Sequence, residues 1–268
     1  MLYYKTKLTI HNFTFFDLES KHGSCYVWHE GEGALTSNEF ASCVCDKIDS
    51  LNLPIGSTVT LWSDGCTYQN RNTMLSNALL ALSVGKGLTI HQKYLTKGHT
   101  HMECDCMHSV LEKKLRKVPI NVPADYIGHF RSASKKNPYD VKYLENTFFK
   151  DYSTLKLLTS IRPGNRVGDS AVTDIVALRY SPKGTIEYKL DFSDEWETFP
   201  QRISLRNTAA PVGKLYEGPI PMKVEKFNHL QQLKVVSEKD YHSFYDKLKH
   251  HCSDTSDPCE RVVPVCTN

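Results

Sequence analysis

Between residues 8 and 116 the sequence alternates β-prone and helix-prone stretches in one order: strand, strand, helix, strand, helix, strand, helix. An order of this kind restricts the chain to an α/β fold. Residues 8–18, rich in Thr, Ile, Phe and Asn, and the run Ser24-Cys25-Tyr26-Val27-Trp28-His29 flank Lys21-His22-Gly23, which predicts a β-hairpin. Thr36 and Glu39 have capping-box spacing, and Phe40, Val44, Ile48 and Leu51 recur at helical intervals, so a helix is expected over residues 37–51. A buried strand over 57–63 ends at Asp64-Gly65, a helix over 73–84 stops at Gly85-Lys86-Gly87, and a further strand over 88–95 precedes a helix over 104–116.

Beyond Pro119 the texture changes to short β-prone pieces, such as 171–180 and 184–192, separated by prolines. The expected organisation is an α/β domain over 1–117, a β-rich accessory region over 118–249 closed by a helix over 237–249, and a mobile tail over 250–268. Lys+Arg number 33 against 30 Asp+Glu in 268 residues, a net charge of +3. That balance suits a globular chain and neither requires nor excludes a nucleic-acid partner. Nine cysteines without a regular framework point to free thiols in a reducing compartment. With no apolar run of spanning length, the chain is expected to be nuclear or cytoplasmic, neither secreted nor in a membrane.

Two constellations carry chemistry. In Ser63-Asp64-Gly65-Cys66-Thr67-Tyr68-Gln69-Asn70-Arg71-Asn72 a carboxylate at a strand end meets a dense run of amides and one Arg, a turn able to hold a metal-bound phosphate. In the stretch from Gly98 to Glu112, Asp105, His108 and Glu112 share one helical face, opposite a core face of Met107, Leu111 and Leu115. That acidic face is free to point at Asp64. Carboxylates from two elements bind hard divalent cations, and two such ions clamp the attacking and leaving oxygens in phosphodiester cleavage. Zinc is the rival chemistry for His99, His101, Cys104, Cys106 and His108, but Cys-x-Cys at a helix start sends its thiols to different faces. Glu39 faces the expected sheet, where the capping box accounts for it. Asp17 reads as a solvated loop residue, and the basic runs 113–117 and 131–136 as solvated faces, although either run could track phosphates.

Ser63-Asp64-Gly65-Cys66-x-x-Gln69-Asn70-Arg71-Asn72 followed by Gly98-His99-Thr100-His101-x-x-x-Asp105 resembles a group of transposon-derived metazoan proteins, themselves similar to DDE-type transposases with an RNase H-like domain. The likeness extends through Tyr26-x-Trp28-x-Glu30 and Thr36-x-Asn38-Glu39-x-x-Ser42-Cys43, and more loosely to Asn137-Pro138-Tyr139 and Tyr241-His242-Ser243-Phe244-Tyr245. It implies an RNase H-like mixed sheet flanked by helices. It also implies metal-dependent cleavage or strand transfer on DNA with Mg²⁺ or Mn²⁺. Asp64 takes the part of the second acid and Asp105 that of the third, both as metal ligands. Glu39 stands where some RNase H-like nucleases place an extra acid, and Glu112 is the fallback. In that family the first acid lies on a strand preceding the stretch seen here as Tyr4-Lys5-Thr6-Lys7-Leu8, so this chain is expected to lack the first strand and to be inactive as it stands. The alternative is a domesticated module that binds DNA or protein without catalysis.

Overall fold

The computed structural model describes residues 4–251, except 68, 97, 165 and 200–210. In chain order the elements are β1 (Ile10–Asp17), β2 (His22–His29), α1 (Ser37–Ser50), β3 (Thr58–Ser63), α2 (Thr73–Lys86), β4 (Thr89–Tyr94), α3 (Glu103–Leu115), α4 (Pro123–Arg131), β5 (Asp140–Tyr143), β6 (Ala177–Ser181), β7 (Thr185–Lys189), β8 (Glu197–Thr198), α5 (Val224–Leu233) and α6 (His242–Asp246). The fold is mixed α/β. Its strands form two mixed sheets, ordered β1-β2-β5 and β3-β4-β6-β7-β8.

The first sheet is the expected hairpin, in register from Ile10 opposite His29 to Asp17 opposite His22, with β5 added parallel to β2. Alternation sorts its side chains. Tyr26 and Trp28 pack with Cys43 of α1, Leu144 and Phe149, and Phe13 and Phe15 lean on the same face. Cys25, Val27 and Val141 pack on the other face with Met107 and Leu111 of α3 and Phe130 of α4. Gly23 lets the strand approach closely there: a Cβ at this position would crowd the Met107 side chain and lie 2.9 Å from the Tyr139 ring. The sheet is thus sandwiched between helices.

In the second sheet β3 and β4 run parallel, joined through α2, and β6, β7 and β8 extend it antiparallel. Gly87, at φ +65°, ends α2 in the left-handed conformation that glycine adopts without a Cβ clash. One face of this sheet (Val59, Ile90, Tyr94, Leu178, Tyr180, Ile186, Tyr188) packs on Leu75 and Leu79 of α2 and on Val44 and Ile48 of α1. Helix α1 therefore serves both cores: Cys43 enters the first, and Ala41, Val44, Cys45 and Ile48 enter the second. No strand pairing joins the sheets among the described residues, a division that the single-sheet expectation did not contain.

Position 117 lies inside one compact unit, Thr9–Ile220. The β-rich pieces beyond it are parts of the sheets already begun: β5 is the partner of β2, and β6 that of β4. The expected accessory region is therefore not a separate layer. A second unit combines residues 4–8 with residues 221–251. In it Met222, Leu230 and Leu248 are buried with Leu8, Phe227 and Phe244, and the Phe227 and His250 rings stack at 3.8 Å. The expected closing helix over 237–249 is only the short α6 preceded by a 3-10 turn, Lys239–Tyr241. The expected mobile tail lies, from 252 on, outside the described residues. The six described cysteines are all free. No helix of the described residues is long and apolar enough to cross a membrane.

His29, at the end of β2, is buried, and its Nδ1 accepts the Gly31 N–H at 3.0 Å. Burial pushes its pKa below the ordinary 6.5, against the weaker pull of Glu32 and Glu30. The unfolded chain thus takes up a proton that the folded chain resists. This contribution to stability is complete above about pH 6.5 and is lost progressively below it. Urea unfolding at about pH 7.5 and about pH 5.5 is expected to show a fall in stability that a His29→Gln variant reduces; an equal fall in both would remove His29 as its source.

Candidate acidic site

Asp64 follows the last residue of β3 and is exposed. Its Oδ1 accepts from the Asn70 side chain at 2.8 Å and from the Cys66 N–H at 3.3 Å, closing a tight turn. Asn70 is itself anchored, because its carbonyl accepts from the Tyr94 hydroxyl at 3.0 Å and from the Gln92 side chain. Arg71 is 8% exposed, lies 4.2 Å from the centre of the Tyr94 ring and donates to the Thr173 carbonyl. The side chain of Asn72 caps α2 by accepting the Leu75 N–H at 2.9 Å. The amide run is therefore mostly scaffolding: one residue braces Asp64, one forms a buried strut and one starts a helix.

Asp105 lies in the first turn of α3, exposed, and its Oδ2 accepts the Met102 N–H at 2.7 Å. There a carboxylate also complements the positive end of the helix dipole. The expected division of α3 holds, with Met107 and Leu111 buried and Asp105, His108 and Glu112 outside. The outward face, however, meets β1: His108 Nε2 lies 2.8 Å from the Thr14 hydroxyl, and the Cys104 thiol donates to the Thr14 carbonyl at 3.6 Å. Glu112 stays exposed, with Arg116 at 3.8 Å.

Glu39 requires a correction. It is 0% exposed, and its carboxylate accepts from the Ala34 N–H at 3.1 Å, the Thr36 N–H at 2.9 Å, the Thr36 hydroxyl and the Tyr216 hydroxyl. Four donors leave it no open coordination position and no path to a substrate, so it is a structural cap. Asp17 is a turn residue held by Ser20, whose hydroxyl donates at 2.8 Å and lowers the carboxyl pKa. Among the described residues no three His, Cys, Asp or Glu side chains gather to hold a metal ion. Asp64, Asp105 and Glu39 therefore form no triad, and the His and Cys residues of 99–108 form no zinc site. A separate cleft of about 450 Å³ opens beside β2 and β5, lined by Lys47, Arg131 and Lys142 among others. Lys142 is neutralised there by Asp46 at 2.7 Å.

No curated protein and no solved structure matches the chain. The model of a domain of unknown function, DUF7869, matches residues 8–160, more than half of the 268, and the chain belongs to that family.

Proposed function

We propose that this chain is a transposase-related domain of the DDE type that holds DNA without cutting it. The observation carrying this reading is the different fate of the three acids. Asp64 and Asp105 stand exposed at the end of β3 and in the first turn of α3, where the sequence resemblance puts the second and third acids, whereas Glu39 is sealed inside. Two-metal phosphodiester cleavage needs carboxylates enough to fix both ions. Here Asp64 and Asp105 each already accept a protein donor, and no three acids, histidines or cysteines gather to hold a metal ion among the described residues. The donor set does not fit a two-metal centre.

Each carboxylate is held within its own turn, Asp64 by Asn70 and Asp105 by Met102, so the phosphate contacts are assigned to Lys and Arg and not to these acids. In an RNase H-like reading a first strand lies between β1 and β3, and each of these strands ends its sheet order with one edge unpaired by another strand among the described residues. A DNA partner goes with a nuclear location. Electrophoretic mobility shift with the full chain tests the reading: the shift is expected to persist in EDTA, because phosphate contacts by Lys and Arg need no metal. No shift at low salt, or a shift that vanishes with EDTA, would overturn it.

A further inference from the structure

Among the described residues the second sheet packs one of its faces on helices, α1 and α2. On its outer face the register aligns Trp62, Lys93, Ala177 and Lys189 in one cross-strand row, with His91 and Arg179 paired in the next. Strands about 4.8 Å apart make the first row roughly 14 Å long. Trp62 is 42% exposed, with the Lys93 ammonium 5.2 Å from its ring centre. At the other end of the row, Trp196 folds over the face, with Arg179 at 4.6 Å and Lys189 at 5.0 Å from its ring centre and the His91 ring at 5.6 Å. Two aromatic stations thus alternate with cations on this face, with Ala177 buried between them and the Phe192 ring 6.0 Å from that of Trp62.

The charges are unequally satisfied. Arg179 is held by Glu187 through two hydrogen bonds of 2.6 and 2.7 Å, which fixes its plane against Trp196. Lys93 and Lys189 have no acidic partner among the described residues. In the loop after β7, Asp191 accepts from Ser193 and Asp194 accepts the Asp191 N–H at 2.8 Å. Burial, and then Lys93 and Arg179, hold the His91 pKa below its ordinary value, so at neutral pH this ring adds stacking surface and no charge.

We propose that this outer face binds single-stranded DNA, with bases stacking on Trp62 and the backbone running over Lys93 and Lys189. An exposed indole ring offers its flat face only to a base freed from pairing, whereas ammonium groups without a carboxylate partner, Lys93 and Lys189, the latter donating only to the Phe192 carbonyl at 3.3 Å, recognise phosphate in any strand. Together they describe a single-strand platform better than a duplex groove. Trp62 lies two residues before Asp64, so a strand on the platform passes beside the acidic turn. The stacking argument stands without Asp64 or Asp105; only the choice of DNA over RNA rests on the proposed function.

Fluorescence anisotropy of the full chain with labelled oligothymidine tests this. Trp62→Ala is expected to weaken binding roughly ten-fold or more, and Trp62→Phe, which keeps a ring, to retain most of it. The double variant Lys93→Ala/Lys189→Ala is expected to lower the salt slope by about 0.7 for each lysine removed. Thermal melts of the Trp62 variants are expected to stay close to the parent, since this ring is 42% exposed. Equal or tighter binding of a duplex, tighter binding of an oligouridine RNA, or full affinity in both the Trp62→Ala and double-lysine variants would overturn the proposal. If the full chain shifted DNA in EDTA while both the Trp62→Ala and the double-lysine variants bound as the parent does, the proposed function would stand and this platform would not.

Discussion

Replacing Glu39 with alanine is expected to lower the unfolding free energy by about 3 kcal/mol, far more than loss of either exposed acid. Its carboxylate satisfies two backbone N–H groups, of Ala34 and Thr36, and two hydroxyls, of Thr36 and Tyr216. Truncation leaves those donors without their acceptor in a site closed to water and removes half of the capping box that starts α1. Glu39→Gln keeps one acceptor oxygen and should fall in between. Asp64→Asn and Asp105→Asn keep their size and one oxygen at exposed positions, so each should stay within about 0.5 kcal/mol of the parent. Urea unfolding midpoints of the four variants give the ranking, and a Glu39→Ala protein as stable as Asp64→Asn would contradict the structural role.

A larger loss is expected from Asn77→Ala, about 4 kcal/mol. Asn77 is 4% exposed on α2 and holds the loop that follows the first sheet. Its Nδ2 donates to the Leu155 carbonyl at 2.7 Å and to the Leu158 carbonyl at 3.0 Å, and its Oδ1 accepts the Leu158 N–H at 3.0 Å. Alanine leaves three buried backbone groups unpaired at once, and each such group costs about 1–3 kcal/mol. Asn77→Asp should be no better, because a carboxylate cannot donate to two carbonyls and brings a charge into the core. A loss below that of a surface substitution in either variant, read from urea unfolding, would show that water replaces Asn77 there.

Local signals carried much of the fold. The Thr36–Glu39 spacing forms the capping box, the alternation of Phe13, Phe15, Tyr26 and Trp28 forms one face of a hairpin, and the Asp105/Met107 division of α3 separates outside from core. What stayed hidden depends on distant partners. Glu39 is buried partly because Tyr216 donates to it from 177 residues away, a contact that no helical periodicity reports. Helix α4 lies inside the stretch expected to be β-rich, and begins with Pro123, which is well tolerated in a first helical turn, where its missing N–H has no partner to lose. The proline-punctuated pieces after 119 looked like a region of their own because each is too short to show which strand it extends; only the register shows β5 beside β2 and β6 beside β4. The platform of Trp62, Lys93 and Lys189 was equally illegible, since its rows are made by pairing strands that the sequence keeps far apart.

The central claim is that the exposed acids alone do not cut DNA. Its most direct test is an assay of cleavage and strand transfer on DNA by the purified full chain in Mn²⁺, set beside Asp64→Asn and Asp105→Asn. Electrostatic positioning supplies most of the catalysis in phosphoryl transfer, and two carboxylates position ions less firmly than three. The account predicts no detectable product with the parent or with either variant. Robust cleavage by the parent that is lost in both variants would contradict it, and would mean that a third acid completes the site with Asp64 and Asp105.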